Sequence, residues 1–484
     1  MSTTRYIPHS NEPPSNLRST QEDIQDALVS NVRRVHRHLE TRNGVYIGTS
    51  GIYLMDQRVA GYVPADLLSS AVSRLISQQL TPPHAASSVA FLGTSVGPAT
   101  LLLQAKLRAS SGQRDTSLGR ADVQALEKHW ASCVQLLEAA VQLASIGEMD
   151  DDGCEVLYGR AGLLYSLHRL QAELVFLHDS GVSVSQSEDP AVAAVASLCS
   201  DANIQAIVDD IMKRGRIGAR EYQEELASLR DEREKVPPLM WRWHATRYIG
   251  GAHGVAGILH MLVLAPSKTI TSYWSDIVGM VEWFLAIQEP PGNWPSKAGR
   301  HMYYVEGGTA MFTEAKQEAQ ATDDRHELVQ WCHGAPGVLM FLSMFLNRTA
   351  LSPSLTIAPS LRDRIIAAIQ HGGELVYTHG LLRKGVGLCH GVAGNVYALL
   401  AVSDFLDSGN NTYWLARAVH LAHLATEYSK LERKGDMRVP DDPYGLYEGV
   451  AGMCCAWAEV LVRLGVKSRG GARKGSGMPG YDDL

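Results

Sequence analysis

The chain has 484 residues, 45% of them hydrophobic and 20% charged, and carries a net charge of −7. This is the balance of a soluble globular protein with room for a large core. It leaves no basic footprint for nucleic acid and no basic amphipathic segment for a membrane surface.

The polar start, MSTTRYIPHSNEPPSN, lacks the apolar run of a secretory signal. From residue 15, SNLRSTQEDIQDALVSNVRRVHRHLE sets Leu17, Ile24, Leu28, Val32 and Val35 at helical spacing with charge between them. The same amphipathic pattern returns over 117–144 and 411–434. Between such stretches a glycine motif recurs seven times: IGTSGIYLM (47–55), LGTSVGPATLL (92–102), YGRAGLLYSL (158–167), AHGVAGILHML (252–262), CHGAPGVLMFL (332–342), CHGVAGNVYALL (389–400) and YEGVAGMCCAW (447–457). The final glycines lie 46 to 95 residues apart, a spacing that suits one helical hairpin per repeat with variable loops. The segment after each motif is apolar on nearly all sides, as a buried helix is. Each repeat thus predicts an amphipathic outer helix, a glycine turn and a buried inner helix. Seven such hairpins can close into a double ring, an α/α toroid, with the turns at one end. Glycine suits the turns through positive φ and close backbone approach. Strand signals are sparse, so the fold class is all-α.

The longest apolar stretches, 255–266 and 338–346, are broken by His260 and Ser343. They fall short of the ~18 residues of a membrane span, so no transmembrane segment is expected. Two stretches depart from the repeat, 174–235 and 296–325, and are expected as surface insertions. The Gly- and charge-rich stretch near 467–476 is expected to be mobile, with the final MPGYDDL docked. The whole of 1–484 is expected to form one domain.

Seven cysteines, an odd count with no C-x-x-C pair, point to reduced thiols and a cytoplasmic setting. Register brings some of them together. Cys332 and Cys389 occupy the same repeat position, as do His253, His333 and His390, with Glu448 in the seventh turn. Alone, a free cysteine is often just a small buried hydrophobe. Two matched Cys-His pairs at one mouth form a soft ligand set suited to Zn²⁺, and three protein ligands leave a position open. By register alone His333 and His390 are equal candidates. Such a site suits a substrate thiol presented as thiolate, with His253 placed for proton transfer.

The stretches AHGVAGI, WCHGAPGV, KGVGLCHGVAGN and PYGLYEGVAGM, with LYGRAGLLYSL, PLMWRWH, GNWP and MPGYDDL, resemble the eukaryotic lanthionine synthetase C-like (LanC-like) proteins over nearly the whole chain. The resemblance implies a toroid of seven repeats with zinc on Cys332, Cys389 and His390, leaving His333 a neighbour. It matches His253 to the family's acid/base histidine and sets Glu155 where bacterial cyclases carry an active-site Asp. Leu328 stands where those cyclases have an Arg four residues before the first zinc cysteine, so lantibiotic cyclisation is not implied. Eukaryotic members are similar in binding glutathione and adding its thiol to dehydroalanine or dehydrobutyrine in polypeptides. The glutathione contacts correspond to Arg5, Lys384 and Arg438, cations suited to two carboxylates. The expected activity is that of a zinc-dependent transferase acting on dehydroamino acids. The alternatives are a non-catalytic zinc- and glutathione-binding adaptor, or a toroid glycosidase using Glu448 and Glu155.

Overall fold

The computed structural model describes residues 4–38, 42–68, 71–110, 120–146, 153–180, 187–228, 236–299, 328–466 and 477–484. Most of 296–325 and all of 467–476 lie outside the described residues. Among those described, regular structure is helical, with only isolated β-bridges. The all-α expectation is met. The chain divides into two compact units, one made of Met1–Ser15 and Met212–Val439, the other of Asn16–Ile211 and Pro440–Leu484.

In the second unit the outer helix Leu17–Arg37 starts at Asn16, whose side chain accepts from the amide of Ser19. Its buried stripe is Ile24, Leu28, Val32 and Val35, as the periodicity predicts. It packs on Val450–Arg463, which packs in turn on Thr49–Val59. Val96–Ser110 lies against Arg120–Ile146 and Arg160–Asp179. In the first unit Ala335–Leu351 is the central inner helix, flanked by Val255–Leu264 and Val392–Leu406 and backed by Pro359–His379. Both apolar stretches flagged in the sequence are buried in such helices.

Six of the seven motifs behave alike: the first glycine is the residue before the helix, at Gly48, Gly159, Gly254, Gly334, Gly391 and Gly449. In the remaining motif, 92–102, the helix begins at Val96, between the glycines. A glycine offers no capping side chain, yet the first amides of a helix need acceptors. Carbonyls seven residues earlier supply them. The amide of Arg160 donates to Gly153 (2.8 Å), Val255 to Tyr248 (3.0 Å), Val392 to Gly385 (3.1 Å) and Val450 to Pro443 (2.9 Å). The loop therefore wraps tightly over the helix start, and this explains the second glycine. A Cβ on Gly51, Gly97, Gly162 or Gly394 would lie 2.0–2.2 Å from the carbonyl oxygen six residues back. Positive φ, the other expected reason, applies among the first glycines only at Gly334, with φ 98°.

Much of the 174–235 stretch is not a solvated surface. Pro190–Leu198 and Asp201–Ser228 are helices that bury Val192, Val195, Ile204, Ile207, Val208 and Ile211. Residues 190–227 contain a window long and apolar enough to cross a membrane. The helices break at Cys199 and Ser200, and that apolar face is core. The charge run at 230–235 lies outside the described residues. The closing MPGYDDL docks in the second unit: Tyr481 is buried, and Asp483 accepts from the Tyr165 hydroxyl (2.5 Å) and Arg169 (3.0 Å).

Candidate metal and substrate site

The first unit holds the turns ending at Gly254, Gly334 and Gly391, and main-chain bonds join them. The amide of Gly251 donates to the carbonyl of Trp331 (3.0 Å), and that of Cys332 to Cys389 (3.3 Å). Glycine is needed for this approach, because a Cβ on Gly250 would sit 2.1 Å from the carbonyl oxygen of Cys332. Two asparagines fix the middle turn. Asn293, in GNWP, caps the next helix by accepting from the amide of Ala335 (2.8 Å) and donates to Leu328 O (3.3 Å). Asn395 donates to Val329 O and Gly380 O, both at 3.0 Å. Neither the repeat nor the Cys-His spacing marks these two asparagines.

These constraints bring Cys332, Cys389 and His390 together, with one donor atom from each inside 4.8 Å of the others. Both thiols are buried and the histidine is half-buried. A hydrogen bond from Cys389 holds the Cys332 thiol below its usual range against the effect of burial. The Lys384 charge and the side-chain amide of Gln330, 3.1 Å from Sγ, add to it. Cys389, the donor of the pair, is held high. Two hydrogen-bonded thiols beside an imidazole form a donor set that fits Zn²⁺. None of the seven cysteines is in a disulfide.

His333, equal to His390 in register, is outside that group. Its ring packs against Tyr248 with centroids 5.4 Å apart, and its amide and carbonyl exchange bonds with Gln330 at 3.1 Å. Burial, with charge from His253, Lys384, Lys297 and His390, pushes its pKa down to about 4. These neighbours make a basic surround. His253 stacks on Trp243, ring centroids 3.7 Å apart and planes 8° from parallel. Lys297 lies over the Tyr248 ring at 5.5 Å.

The three expected glutathione contacts meet at one residue. The amide of Arg383 donates to Arg5 O (2.9 Å), and the amide of Arg438 donates to Arg383 O (2.7 Å). Arg383 itself is fixed by its bond to Asp436 O (2.8 Å). Arg5, Lys384 and Arg438 thus come from adjoining backbone, Arg5 half-buried and the other two exposed. Glu155 belongs to the second unit. Its buried carboxylate accepts from the amides of Leu157 (2.8 Å) and Tyr158 (2.6 Å), so it closes its own turn.

Residues 121–462 match the family model of the lanthionine synthetase C-like protein. The chain belongs to the LanC-like family. Its members include the zebrafish (Danio rerio) glutathione S-transferase LANCL1, 30% identical over 344 residues, covering 69% of this chain and 66% of the relative. The Arabidopsis thaliana LanC-like protein GCL1 is 28% identical over 308 residues, 63% of this chain and 55% of the relative. The matched part thus spans under two thirds of each LanC-like relative's own length. Among solved structures, nisin cyclase aligns over 92% of this chain and 94% of its own, at 13% identity and a TM-score of 0.45. The α/α toroid expected from the sequence is the fold that goes with LanC-like membership.

Proposed function

We propose that this LanC-like chain joins the thiol of glutathione to dehydroalanine or dehydrobutyrine residues of polypeptides, in the cytoplasm. The observation that carries the reading is the convergence of Cys332, Cys389 and His390 from two turns, the first of them bonded through its backbone to the turn of His253. Cys332, Cys389 and His390 would hold Zn²⁺, which when bound supplies the Lewis acidity that brings a thiol to its thiolate near neutral pH. Arg5, Lys384 and Arg438 hold the two carboxylates of the tripeptide by charge-assisted bonds. The thiolate sulfur bonds to the β-carbon of the dehydroamino acid, the carbon–carbon double bond opens, and the α-carbon takes a proton. His253 moves that proton, accepting from the thiol side and donating to carbon. Glu155 is left to its turn.

Incubating zinc-loaded protein with glutathione and a dehydroalanine peptide should give a thioether adduct by mass spectrometry. Cys389→Ala should lose both the metal, by elemental analysis, and the adduct. Full zinc occupancy in that variant would overturn the ligand set. Glutathione binding without adduct formation by the zinc-loaded wild type would make the chain an adaptor instead.

A further inference from the structure

Residues 239–249 form an arm from the Asp201–Ser228 helix to His253. At its tip Trp243 and Thr246 exchange main-chain bonds of 2.9 and 3.0 Å. The two residues between them are His244 and Ala245, with φ 46° and 57°. Turns of this shape favour Asn-Gly or Asp-Gly, since side chains resist the left-handed region. Residues kept there without glycine need surroundings that over-determine them.

The surroundings do so from two sides. On the helix side, Arg247 grips Glu225 through both terminal nitrogens, at 2.6 and 2.7 Å, and its guanidinium lies over Tyr222 at 4.8 Å. Arg242 pairs with Glu221 at 2.8 Å. Two helix glycines admit the arm: a Cβ on Gly215 would lie 2.5 Å from the Trp241 indole, and one on Gly218 would lie 2.2 Å from Met240 O. On the other side, the Trp243 indole lies flat on the imidazole of His253. Stacking engages the face of that ring, whereas its two nitrogens act in the ring plane.

We propose that Trp243 is a positioning residue for His253, and that the Asp201–Ser228 helix is the brace that holds it there. The stack fixes the plane in which the imidazole takes and gives its proton. The arm carries that constraint back to Glu221 and Glu225. This rests on His253 acting as the proton-transfer group proposed above, and it adds the device that orients it.

The test uses the zinc-loaded full chain and three variants. Trp243→Ala should lower kcat about 10- to 100-fold, the range a misplaced reacting group gives, with zinc content and the KM for glutathione unchanged. Trp243→Phe, which keeps a flat ring, should recover most of the rate. Glu225→Gln, which touches neither ring, should lower kcat less than Trp243→Ala does and still leave KM in place. NMR of ring-labelled histidine gives a readout independent of turnover. The indole ring current should hold the His253 C–H resonances upfield in the wild type, and Trp243→Ala should release them. Unmoved His253 resonances, or an unchanged kcat in Trp243→Ala, would overturn the proposal. If Trp243→Ala fails to fold, wild-type kcat in Glu225→Gln would overturn the brace, and wild-type kcat in a fourth variant, Trp243→Leu, which has no flat ring, would overturn the positioning role. A wild type that forms no adduct, with His253 still held upfield by Trp243, would fail the proposed reaction while the stack stands.

Discussion

In both units an amide two places before the first motif glycine donates to the carbonyl at the matching place in another turn. In one, Tyr447 donates to Tyr46 at 2.9 Å; in the other, Cys332 donates to Cys389 at 3.3 Å. The main chain is the same device, and the side chains on it differ. The two tyrosines stack at 4.9 Å, where the two cysteines form a hydrogen bond. One place further on, the first unit carries His253, His333 and His390, whereas the second carries Ile47, Leu92, Tyr158 and Glu448. Backbone and chemistry are therefore separable here. Glycines and loop carbonyls build the turn, and the two residues ahead of the first glycine decide what it does.

Acid and base should act on the units in opposite directions. His260, buried in Val255–Leu264, is pushed by burial to about 3, below its usual 6.5. The stability tied to its neutral form is complete above pH 6.5 and is lost as pH falls toward 3, by roughly 4–5 kcal/mol. In the second unit Asp56 bonds His36 at 2.8 Å, yet burial raises it from 3.8 to about 6. Its contribution is complete below pH 3.8 and is lost as pH rises through 6, by about 3 kcal/mol. Denaturant titrations across pH should show His260→Leu removing part of the acid-side loss and Asp56→Asn removing an opposite slope between pH 4 and 6. Parallel pH curves for either variant and the wild type would refute its assignment.

The shared backbone makes a sharper test. Gly394→Ala and Gly51→Ala place a Cβ 2.2 and 2.1 Å from a carbonyl oxygen in the first and second unit respectively. Each should lose about 2–4 kcal/mol by chemical unfolding, because the helix start and the loop must part. A neutral result at either position would mean that its turn tolerates a looser loop. The smallest effect belongs to the arm tip. Ala245→Gly relieves a left-handed residue and should stabilise the protein by about 0.5–1 kcal/mol, seen as a higher Tm.

The helical repeat was legible because its signals are local: apolar spacing for the outer helices, and paired glycines for the turns. The reason for those glycines was only half legible. Close approach depends on a carbonyl six residues back, which no pattern in the motif reveals. The Cys-His pairs could be read from register, yet His333 and His390 stayed tied. What separates them is ring direction, set by Tyr248 on one side and by the neighbouring cysteines on the other. Trp243 lies in PLMWRWH, a stretch that resembles the family without revealing a role for its indole. Its turn is built on His-Ala where a turn motif would read Asn-Gly, so no local signal marks it. The braces at Glu221 and Glu225 lie in a stretch that read as an insertion, because ion pairs across twenty residues leave no periodicity.

Helices that begin on glycine and borrow acceptors from earlier carbonyls, or from Asn293 at Ala335, ask nothing of the two side chains before them. Those positions can drift while the turn keeps its shape. A descendant that lost Cys332 or Cys389 would keep its family likeness and its fold, and would lose the proposed metal site without any mark in its architecture. Within such a lineage, inheritance of shape and inheritance of activity are separate events, and only the residues ahead of the glycines record the second.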